Sequence, residues 1–378
     1  MIPRNVYTEE HDMFRDAVRK FMQREIQPHH EQWEKDGQIS REAWKKAGDA
    51  GILCTHLPVE YGGSGVDFRY SAIAIEEQGY VFASGPGFSL HSDIVAPYIL
   101  HYGSEQQKQT WLPQMAAGDV ITAIAMTEPG AGSDLAGVRT TAVLDGDDYV
   151  INGSKTFITN GQLADLYIVV AKTDTSAGAK GVSLFLVEAD RAGFQKGQNL
   201  NKVGMKAQDT SELFFDNVRV PKDNLLGQEN KGFIYLMQEL PQERLSVALI
   251  AVAAARACYD ATVEYVKERK AFGKPVAALQ NTRFKLAEIL TELEVTQTYV
   301  DRCLELHCEG NLSVEDAAAC KLWATEAQCR IIDECVQLHG GYGYMWEYPV
   351  ARAYADARVQ RIYAGTSEIM KEIISRTI

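Results

Sequence analysis

The sequence is most strongly constrained by a change in hydrophobic periodicity that divides it into three stretches. From Thr8 to about Gly118, apolar residues recur at three- and four-residue steps, as they do on the buried face of a helix. From about Val120 the pattern changes to short β-branched or aromatic runs between turn-forming residues, which is typical of strands. After Gly227 the helical period returns in segments of roughly 25 to 40 residues, longer than most globular helices. The predicted domains are an N-terminal helical domain at 1–119, a middle β domain at 120–227 and a C-terminal helical bundle at 228–378.

Turn residues refine this prediction of an α+β fold that is mostly α. Asp145 and Gly146 separate two strand-like runs and predict a β-hairpin. In the last third of the chain, breaks near 273–275, 310–311 and 340–349 predict four helices joined by compact loops, which is the pattern of a four-helix bundle. The predicted strands lie at 121–126, 138–144, 149–158, 167–173, 182–188 and 213–220.

Composition excludes several classes of protein. With 378 residues and 46% hydrophobic content, the chain is long enough for two or three packed domains. A net charge of -13 argues against a nucleic-acid-binding protein. No stretch reaches about 18 consecutive apolar residues, so no membrane span is predicted. The start of the chain lacks the apolar run of a secretory signal, so we expect a bacterial cytoplasmic protein or the trimmed form of an organelle matrix protein.

Cysteine usage predicts neither disulfides nor a metal centre. The seven cysteines are odd in number, include no C-x-x-C pair and lie mostly in apolar helical stretches. We therefore expect reduced thiols within the core and no metal site.

Two segments of the β domain have compositions that suit a flat ligand. Residues 126–134 follow a predicted strand and combine two glycines with small polar side chains, so main-chain N–H groups can approach a ligand, although a plain tight loop fits equally well. The segment lacks both the Walker lysine and the G-x-G-x-x-G spacing. At 155–161, the alternating Phe157 and Thr159 offer an aromatic face and a hydroxyl to a planar heterocycle, but an ordinary strand end is the simpler explanation.

Three segments of the C-terminal region are open to more than one interpretation. Residues 337–344 contain three glycines at a helix end, and the histidine among them suits a structural role better than catalysis. Arg269 begins a basic stretch that a helix C-terminus would favour through its dipole. Residues 239–245 place Glu243 and Arg244 in a mostly apolar helix, so these charges lie either on the surface or in a buried pair.

In combination, these segments resemble the acyl-CoA dehydrogenase family over essentially the whole chain. The resemblance implies a helical domain, a β-barrel-like middle domain and a C-terminal four-helix bundle, in agreement with the domains predicted above. It also implies α,β-dehydrogenation of fatty acyl-CoA to trans-2-enoyl-CoA, electron-transferring flavoprotein as the acceptor, and a homotetramer. The signatures that carry it, in the family's order, are 125–134, 157–160, 269–273 followed by Gln280, 337–341 and 363–369.

The resemblance further implies FAD as the cofactor. Met126, Thr127 and Ser133 would contact its isoalloxazine and ribityl parts. Phe157, where many members have tryptophan, would cover the ring, and Thr159 would hydrogen bond near the reactive nitrogen. The residues expected around the adenine and pyrophosphate, partly from a neighbouring subunit, are Arg269, Gln280, Gln337, Gly340, Gly341, Thr366, Ser367 and Glu368.

The base implied by the resemblance departs from the commoner family pattern. Most members carry a glutamate after the tyrosine of a Tyr-Glu-Gly-Thr motif, but here Ala364 follows Tyr363. A minority branch, the long-chain and isovaleryl types, carries its carboxylate on the first helix of the C-terminal bundle, at the position that matches Glu243. The resemblance therefore implies Glu243 as the base of a long-chain type enzyme, with Ser133, Arg244, Tyr363 and Ala364 along the acyl-CoA path.

Two functions from other classes stay open at this point. An acyl-CoA oxidase would share the flavin signatures, but peroxisomal-type oxidases usually carry a large extra C-terminal region, and the length of this chain favours a dehydrogenase. A noncatalytic helical binding protein would leave the flavin signatures unexplained.

Overall fold

The N-terminal part of the chain is helical, as its periodicity predicts. In a computed structural model that describes residues 2–378, its helices are α1 (Glu9–Phe21), α2 (His30–Asp36), α3 (Arg41–Asp49), α4 (Phe68–Tyr80), α5 (Ala96–Tyr102) and α6 (Glu105–Ala116). The Ser40 side chain accepts a hydrogen bond from the Ala43 N–H at 3.2 Å, which satisfies an unpaired donor and begins α3. A π-helical turn, Leu90–Val95, continues directly into α5. This turn and α5 form one wall of the site described below.

The middle of the chain forms one eight-stranded sheet. The strands are β1 (Thr122–Ala125), β2 (Thr141–Asp145), β3 (Asp148–Thr159), β4 (Leu166–Lys172), β5 (Val182–Glu188), β6 (Phe194–Asn199), β7 (Thr210–Pro221) and β8 (Leu225–Leu226). Their order is β6-β7-β3-β2-β4-β5-β8, and β1 pairs in parallel with β4. The predicted hairpin forms between β2 and β3, where Asp145 pairs with Asp148 and Gly146 takes a left-handed φ of 66°.

Strand β6 is the longer of two strands in the sheet that have no counterpart in the sequence prediction, the other being the two-residue β8. It lies at the edge of the sheet, where it pairs only with β7, and its residues are mostly polar and exposed. An edge strand buries little, so its sequence lacks the apolar alternation by which strands are recognised.

The C-terminal part contains three long helices and two short ones. They are α7 (Gly232–Glu268), α8 (Gln280–Cys308), α9 (Val314–His339), α10 (Pro349–Ala357) and α11 (Ser367–Ser375). The predicted breaks are found between these helices, but the fourth expected segment is divided in two by a 3₁₀ turn and a loop at 358–366. Between α7 and α8 a small hairpin forms from β9 (Lys270–Ala271) and β10 (Lys274–Pro275).

Helix α7 is the central element of the bundle. Its apolar residues form one core with α4, α8 and α9, and a second core with α8, α9 and α10. It is the one helix in residues 2–378 that is long and apolar enough to cross a membrane, but 61% of its apolar window is buried inside the protein. We therefore assign α7 as a core helix, and its length explains how one helix contacts both the N-terminal helices and the C-terminal bundle.

Candidate active site

A carboxyl group lies buried where α7 packs against α5. Glu243 is 4% exposed, and its Oε1 accepts a hydrogen bond of 3.1 Å from the hydroxyl of Tyr98, which is itself fully buried. The side chain therefore lies inside the protein, which excludes the surface alternative for this charge. A buried carboxyl with a single neutral hydrogen-bond donor is a candidate for proton transfer, because its charged form is poorly compensated.

Polar side chains about one turn apart on α5 contact carboxyl groups one turn apart on α7. Tyr98, His101 and Tyr102 share one face of α5, and Glu239 and Glu243 lie one turn apart on α7. The Oε1 of Glu239 accepts 2.7 Å from the Tyr102 hydroxyl and lies 2.8 Å from His101 Nδ1. Two carboxyl groups are thus held side by side by three α5 side chains.

The surroundings of Glu243 favour its protonated form. Burial raises the pKa of Glu243 to about 7, the Tyr98 hydrogen bond opposes this shift, and the negative charge of Glu239 adds to it. A carboxylic acid that titrates near neutral pH is a far stronger base than an ordinary glutamate and still loses its proton at physiological pH.

Arg244, the residue after Glu243, is also buried. It is 3% exposed, and its Nε and Nη1 atoms have no hydrogen-bond partner in the described residues. Burial lowers the pKa of Arg244, and the charge of Glu243 acts in the opposite direction. A buried guanidinium with unused donors is suited to bind an oxygen-rich ligand.

The loop before α11 has an unusual backbone conformation. Ala364 has a φ of 52°, in the left-handed region that a residue with a Cβ enters at a cost, and Gly365 follows with a φ of 97°. Residues Tyr363 and Ala364 are half-buried, and the Thr366 hydroxyl caps α11 by accepting from Ile369 N–H. Of the next two expected cofactor residues, Ser367 is buried and Glu368 is exposed.

A buried ion pair holds the loop that follows β1. Lys155 of β3 has 1% exposure and donates to Glu128 Oε1 at 2.8 Å and to the Met126 carbonyl at 3.1 Å. Glu128 also accepts from the backbone N–H groups of Arg139 and Thr140. The segment is therefore a rigid loop. Within it Met126 and Thr127 are half-buried and Ser133 is exposed.

The second β-domain segment lies directly beside this loop. The Thr156 N–H donates to the Thr127 carbonyl at 2.9 Å, so the structure brings the two sequence signatures together. A bulge in the pairing of β3 with β7 leaves Phe157 with a φ of 60° and a side chain that is 67% exposed. The bulge interrupts the regular alternation of β3, so spacing alone does not place Phe157 and Thr159 on one face.

A cleft of about 570 Å³ opens at the C-terminal end of α9. Arg269, Gln337, Gly340 and Gly341 line it, and a Cβ on either glycine would meet open space. The neighbouring His339 hydrogen bonds the Cys335 carbonyl at 2.8 Å and stacks on a tyrosine, which supports its expected structural role. A cation beside open glycine backbone suits a phosphate-bearing ligand.

The expected cofactor residues lie on elements of two domains, the loops beside β1 and β3 and the cleft at the end of α9. No hydrogen bond or ion pair within residues 2–378 joins the β-domain loops to the cleft on α9. Gln280 is the first residue of α8 and is exposed. The donor set nevertheless fits FAD, since an exposed aromatic ring, a glycine-rich rigid loop and an arginine cleft match its ring and phosphates.

Sequence reasoning missed the partners of these residues. Tyr98, His101 and Tyr102 have helical spacing that places them on one face, but nothing in the sequence identifies the helix they contact. The Lys155–Glu128 pair also has no clear signal, because Lys155 stands among Asn152, Gly153, Ser154 and Thr156 and so resembles an exposed lysine.

A buried carboxyl whose pKa is raised to about 7, in a chain whose loops suit a flat, phosphate-bearing cofactor, fits the class of cofactor-dependent enzymes. The chain matches the family models "Acyl-CoA dehydrogenase, N-terminal domain" at 8–119, "Acyl-CoA dehydrogenase, middle domain" at 123–218 and "Acyl-CoA dehydrogenase, C-terminal domain" at 230–378. The chain therefore belongs to the acyl-CoA dehydrogenase family, whose members are flavin-dependent oxidoreductases.

Individual relatives agree with this assignment. The chain is 58% identical to the mitochondrial long-chain specific acyl-CoA dehydrogenase of Sus scrofa, over 99% of this chain and 88% of that protein. An acyl-CoA dehydrogenase structure from Geobacillus kaustophilus is 52% identical, with a TM-score of 0.97 and 99% of each chain covered. A glutaryl-CoA dehydrogenase of Mycobacterium smegmatis, solved in complex with FADH2, is 32% identical with a TM-score of 0.91, and the match covers 98% of this chain and 95% of that one. The expected fold class and family are thus confirmed.

Proposed function

We propose that this protein oxidises long-chain fatty acyl-CoA thioesters to trans-2-enoyl-CoA, with Glu243 as the base and FAD as the hydride acceptor. The observation that carries the proposal is the buried Glu243 carboxyl, whose pKa is raised to about 7, in a chain with alanine at 364. The similarity to a long-chain specific enzyme over nearly the whole chain supports the substrate class.

The reaction requires two bonds to break on neighbouring carbons. Glu243 would take the α-proton, and the electron pair of that C–H bond would form the C=C bond as hydride leaves the β-carbon. Bound FAD would supply the acceptor for this hydride. The α-proton of a thioester is only weakly acidic, so the carbonyl oxygen must be stabilised as it gains negative charge, and the Ala364 N–H is the donor that we assign to it.

The arrangement of Glu243 supports a base that works in a dry pocket. Substrate binding excludes water, which further disfavours the carboxylate and increases its basicity. We assign Arg244, Tyr363 and Ser133 to the acyl-CoA path. Arg244 has unused donors for the thioester or the CoA, whereas Ser133 lies on the loop next to the proposed flavin ring.

We assign the flavin to two groups of residues. Met126, Thr127 and Ser133 would contact the isoalloxazine and ribityl parts, with Phe157 over the ring and Thr159 beside it. Gln280, Thr366, Ser367 and Glu368 would complete a phosphate and adenine site formed by Arg269, Gln337, Gly340 and Gly341. We infer that a neighbouring subunit contributes part of this site, as the family resemblance implies.

The same proposal extends to partners and location. We infer a homotetramer that transfers electrons to electron-transferring flavoprotein, in a bacterial cytoplasm or an organelle matrix. The mitochondrial origin of the Sus scrofa relative supports the matrix, and the Geobacillus structure supports the bacterial alternative.

A panel of acyl-CoA thioesters mixed anaerobically with the purified yellow protein tests the function. We expect bleaching of the flavin absorption that is fastest with long chains, and enoyl-CoA as the product. A protein that binds no FAD, or a flavin that no acyl-CoA bleaches, would contradict the proposal. Stoichiometric peroxide release in air during turnover would instead identify an oxidase.

A further inference from the structure

Two buried cations lie between the proposed base and the loop that carries Ala364. Lys321 of α9 has no exposed surface, and Arg244 of α7 is 3% exposed. Their sequence neighbours Leu245 and Cys320 pack in one core, so α7 and α9 are in contact at this level. Burial lowers the pKa of Lys321 to about 8, and the positive charge of Arg244 adds to this shift. Within residues 2–378, neither side chain forms an ion pair with a carboxylate.

Stability does not account for such an arrangement. Burying a cation without a hydrogen-bonded counter-ion is unfavourable, and two of them near each other also repel. The charges of Glu326 and Glu368 act on Lys321 only from a distance. Unfavourable charges of this kind are typical of functional sites, where they stabilise charge that develops during a reaction.

Lys321 makes a specific contact with the strained loop. Its Nζ donates to the Gly365 carbonyl at 2.8 Å, across 44 positions of sequence. The loop needs such support, because Ala364 is held at a φ of 52° and Gly365 at 97°. The hydrogen bond fixes the carbonyl of the residue immediately after Ala364.

A second residue of α9 holds the two ends of the same loop. Glu326 accepts 2.7 Å from the Ser367 hydroxyl and pairs with Arg361 at 3.2 Å. Glu326 therefore attaches the start and end of the loop to α9, whereas Lys321 attaches its centre. Lys321 also follows Cys320, which packs in one core with Leu245, the residue after Arg244.

We propose that Lys321 is a positioning residue for the acyl-CoA reaction, which fixes the backbone at Ala364 and Gly365 and, with Arg244, places positive charge beside the thioester oxygen. When the α-proton passes to Glu243, the electron pair moves onto the thioester and the carbonyl oxygen becomes negative. A fixed amide donor and a nearby positive field both favour that state over the neutral thioester. The inference rests on the proposed function, because it assigns a role in that same reaction.

Three variants separate this role from a structural one. Lys321→Met removes the charge and the donor but keeps an unbranched side chain, and Lys321→Gln keeps a donor without the charge. Lys285→Met is the matched control, since Lys285 is a lysine of the same bundle that pairs with Glu334 at 2.8 Å, away from the loop. All three are purified as FAD-loaded protein, and flavin content and Tm are measured first.

Two readouts report on the α-carbon. The first is the rate of flavin reduction at saturating long-chain acyl-CoA. The second is the long-wavelength absorption that forms with an acyl-CoA in which sulfur replaces the β-carbon, because this analogue can lose its α-proton but cannot donate hydride. We expect Lys321→Met to lower the reduction rate by about 10- to 100-fold with little change in KM, and to weaken the absorption band. Lys321→Gln should recover part of both, and Lys285→Met should change neither.

The inference is overturned if flavin-loaded Lys321→Met has the wild-type reduction rate and absorption band. It is also overturned if the decrease in rate and band is fully explained by a lower FAD content of the variant. Where Lys321→Met does not fold, Lys321→Gln decides, since wild-type rate and band in that variant would equally overturn the role. A wild-type protein that no acyl-CoA reduces would instead refute the proposed function, so the two failures are distinguishable.

Discussion

At the level of single residues, burial raises the pKa of Glu243 and hydrogen bonding lowers it. Burial disfavours its charge, the Tyr98 hydroxyl stabilises that charge, and Glu239 repels it. The base must be ionised to accept a proton, so flavin reduction should fall as pH decreases through about 7, the pKa of Glu243.

Two substitutions should move this pH dependence in opposite directions. Glu239→Gln removes a negative charge that raises the pKa of Glu243, so activity should persist to lower pH. Tyr98→Phe removes a hydrogen bond that lowers the pKa, so activity should be lost at higher pH than in the wild type. The measurement is the pH profile of kcat/KM for flavin reduction, which reports the free enzyme.

A carboxylate elsewhere on α7 provides the control for these profiles. Glu264→Gln removes a charge that is exposed and pairs with Lys267, and it should leave the profile unchanged. Shifts of the same sign in Glu239→Gln and Tyr98→Phe would show that the described neighbours do not set the pKa of Glu243.

For single residues, the sequence shows which side chain is the candidate base better than it shows whether that side chain is buried. Glu243 could be assigned because a family pattern shows which position replaces the missing glutamate at 364. Its burial could not, because periodicity left the charges of 239–245 either exposed or buried. The decisive contact comes from α5, which is 145 positions away in sequence at Tyr98.

At the scale of elements, the buried Lys155–Glu128 pair joins β3 to the loop after β1. Removing one partner of a buried pair leaves the other charge uncompensated. We therefore expect Glu128→Gln to lower the free energy of unfolding by about 3–5 kcal/mol and to weaken FAD retention, as measured by denaturant unfolding and flavin content.

The double change Glu128→Gln with Lys155→Met tests the cause. It removes the stranded lysine charge, so it should be more stable than Glu128→Gln alone. If the double variant is the less stable of the two, the loss comes from packing or from the Glu128 hydrogen bonds to backbone, and the ion-pair explanation is wrong.

Elements were predictable where they bury a regular apolar face. The strands β3, β4, β5 and β7 and the long helices fulfil this condition, whereas the polar edge strand β6 does not. The bulge at Phe157 also has no sequence signal, since a left-handed phenylalanine is imposed by its pairing with β7 and by the neighbouring loop.

At the scale of the whole molecule, the hairpin of β9 and β10 projects from the bundle. Phe272 at its tip is 93% exposed and has a φ of 53°. An exposed aromatic ring contributes little to the stability of a single chain, so its exposure suggests a contact surface. The hairpin follows Arg269, which lines the cleft on α9. Contact with a second subunit would explain both features.

We expect Phe272→Asp to reduce both the tetramer fraction and FAD retention, because it places a charge in the proposed contact. Analytical ultracentrifugation and flavin content measure the two effects. Met13→Asp, at a residue of α1 that is 73% exposed, is the matched control and should preserve both. A wild-type protein that sediments as a monomer with FAD bound would contradict the assembly.

Rapid anaerobic mixing of FAD-loaded Glu243→Gln with a long-chain acyl-CoA tests directly whether Glu243 is the base. The change keeps the size of the side chain but removes the proton acceptor, so we expect normal binding and a flavin reduction rate lower by roughly 10² to 10⁴ or more. Adding Ala364→Glu should restore part of the rate from the family's commoner base position, incompletely because the new carboxyl lacks its native packing. Near-normal flavin reduction by Glu243→Gln would show that another group is the base.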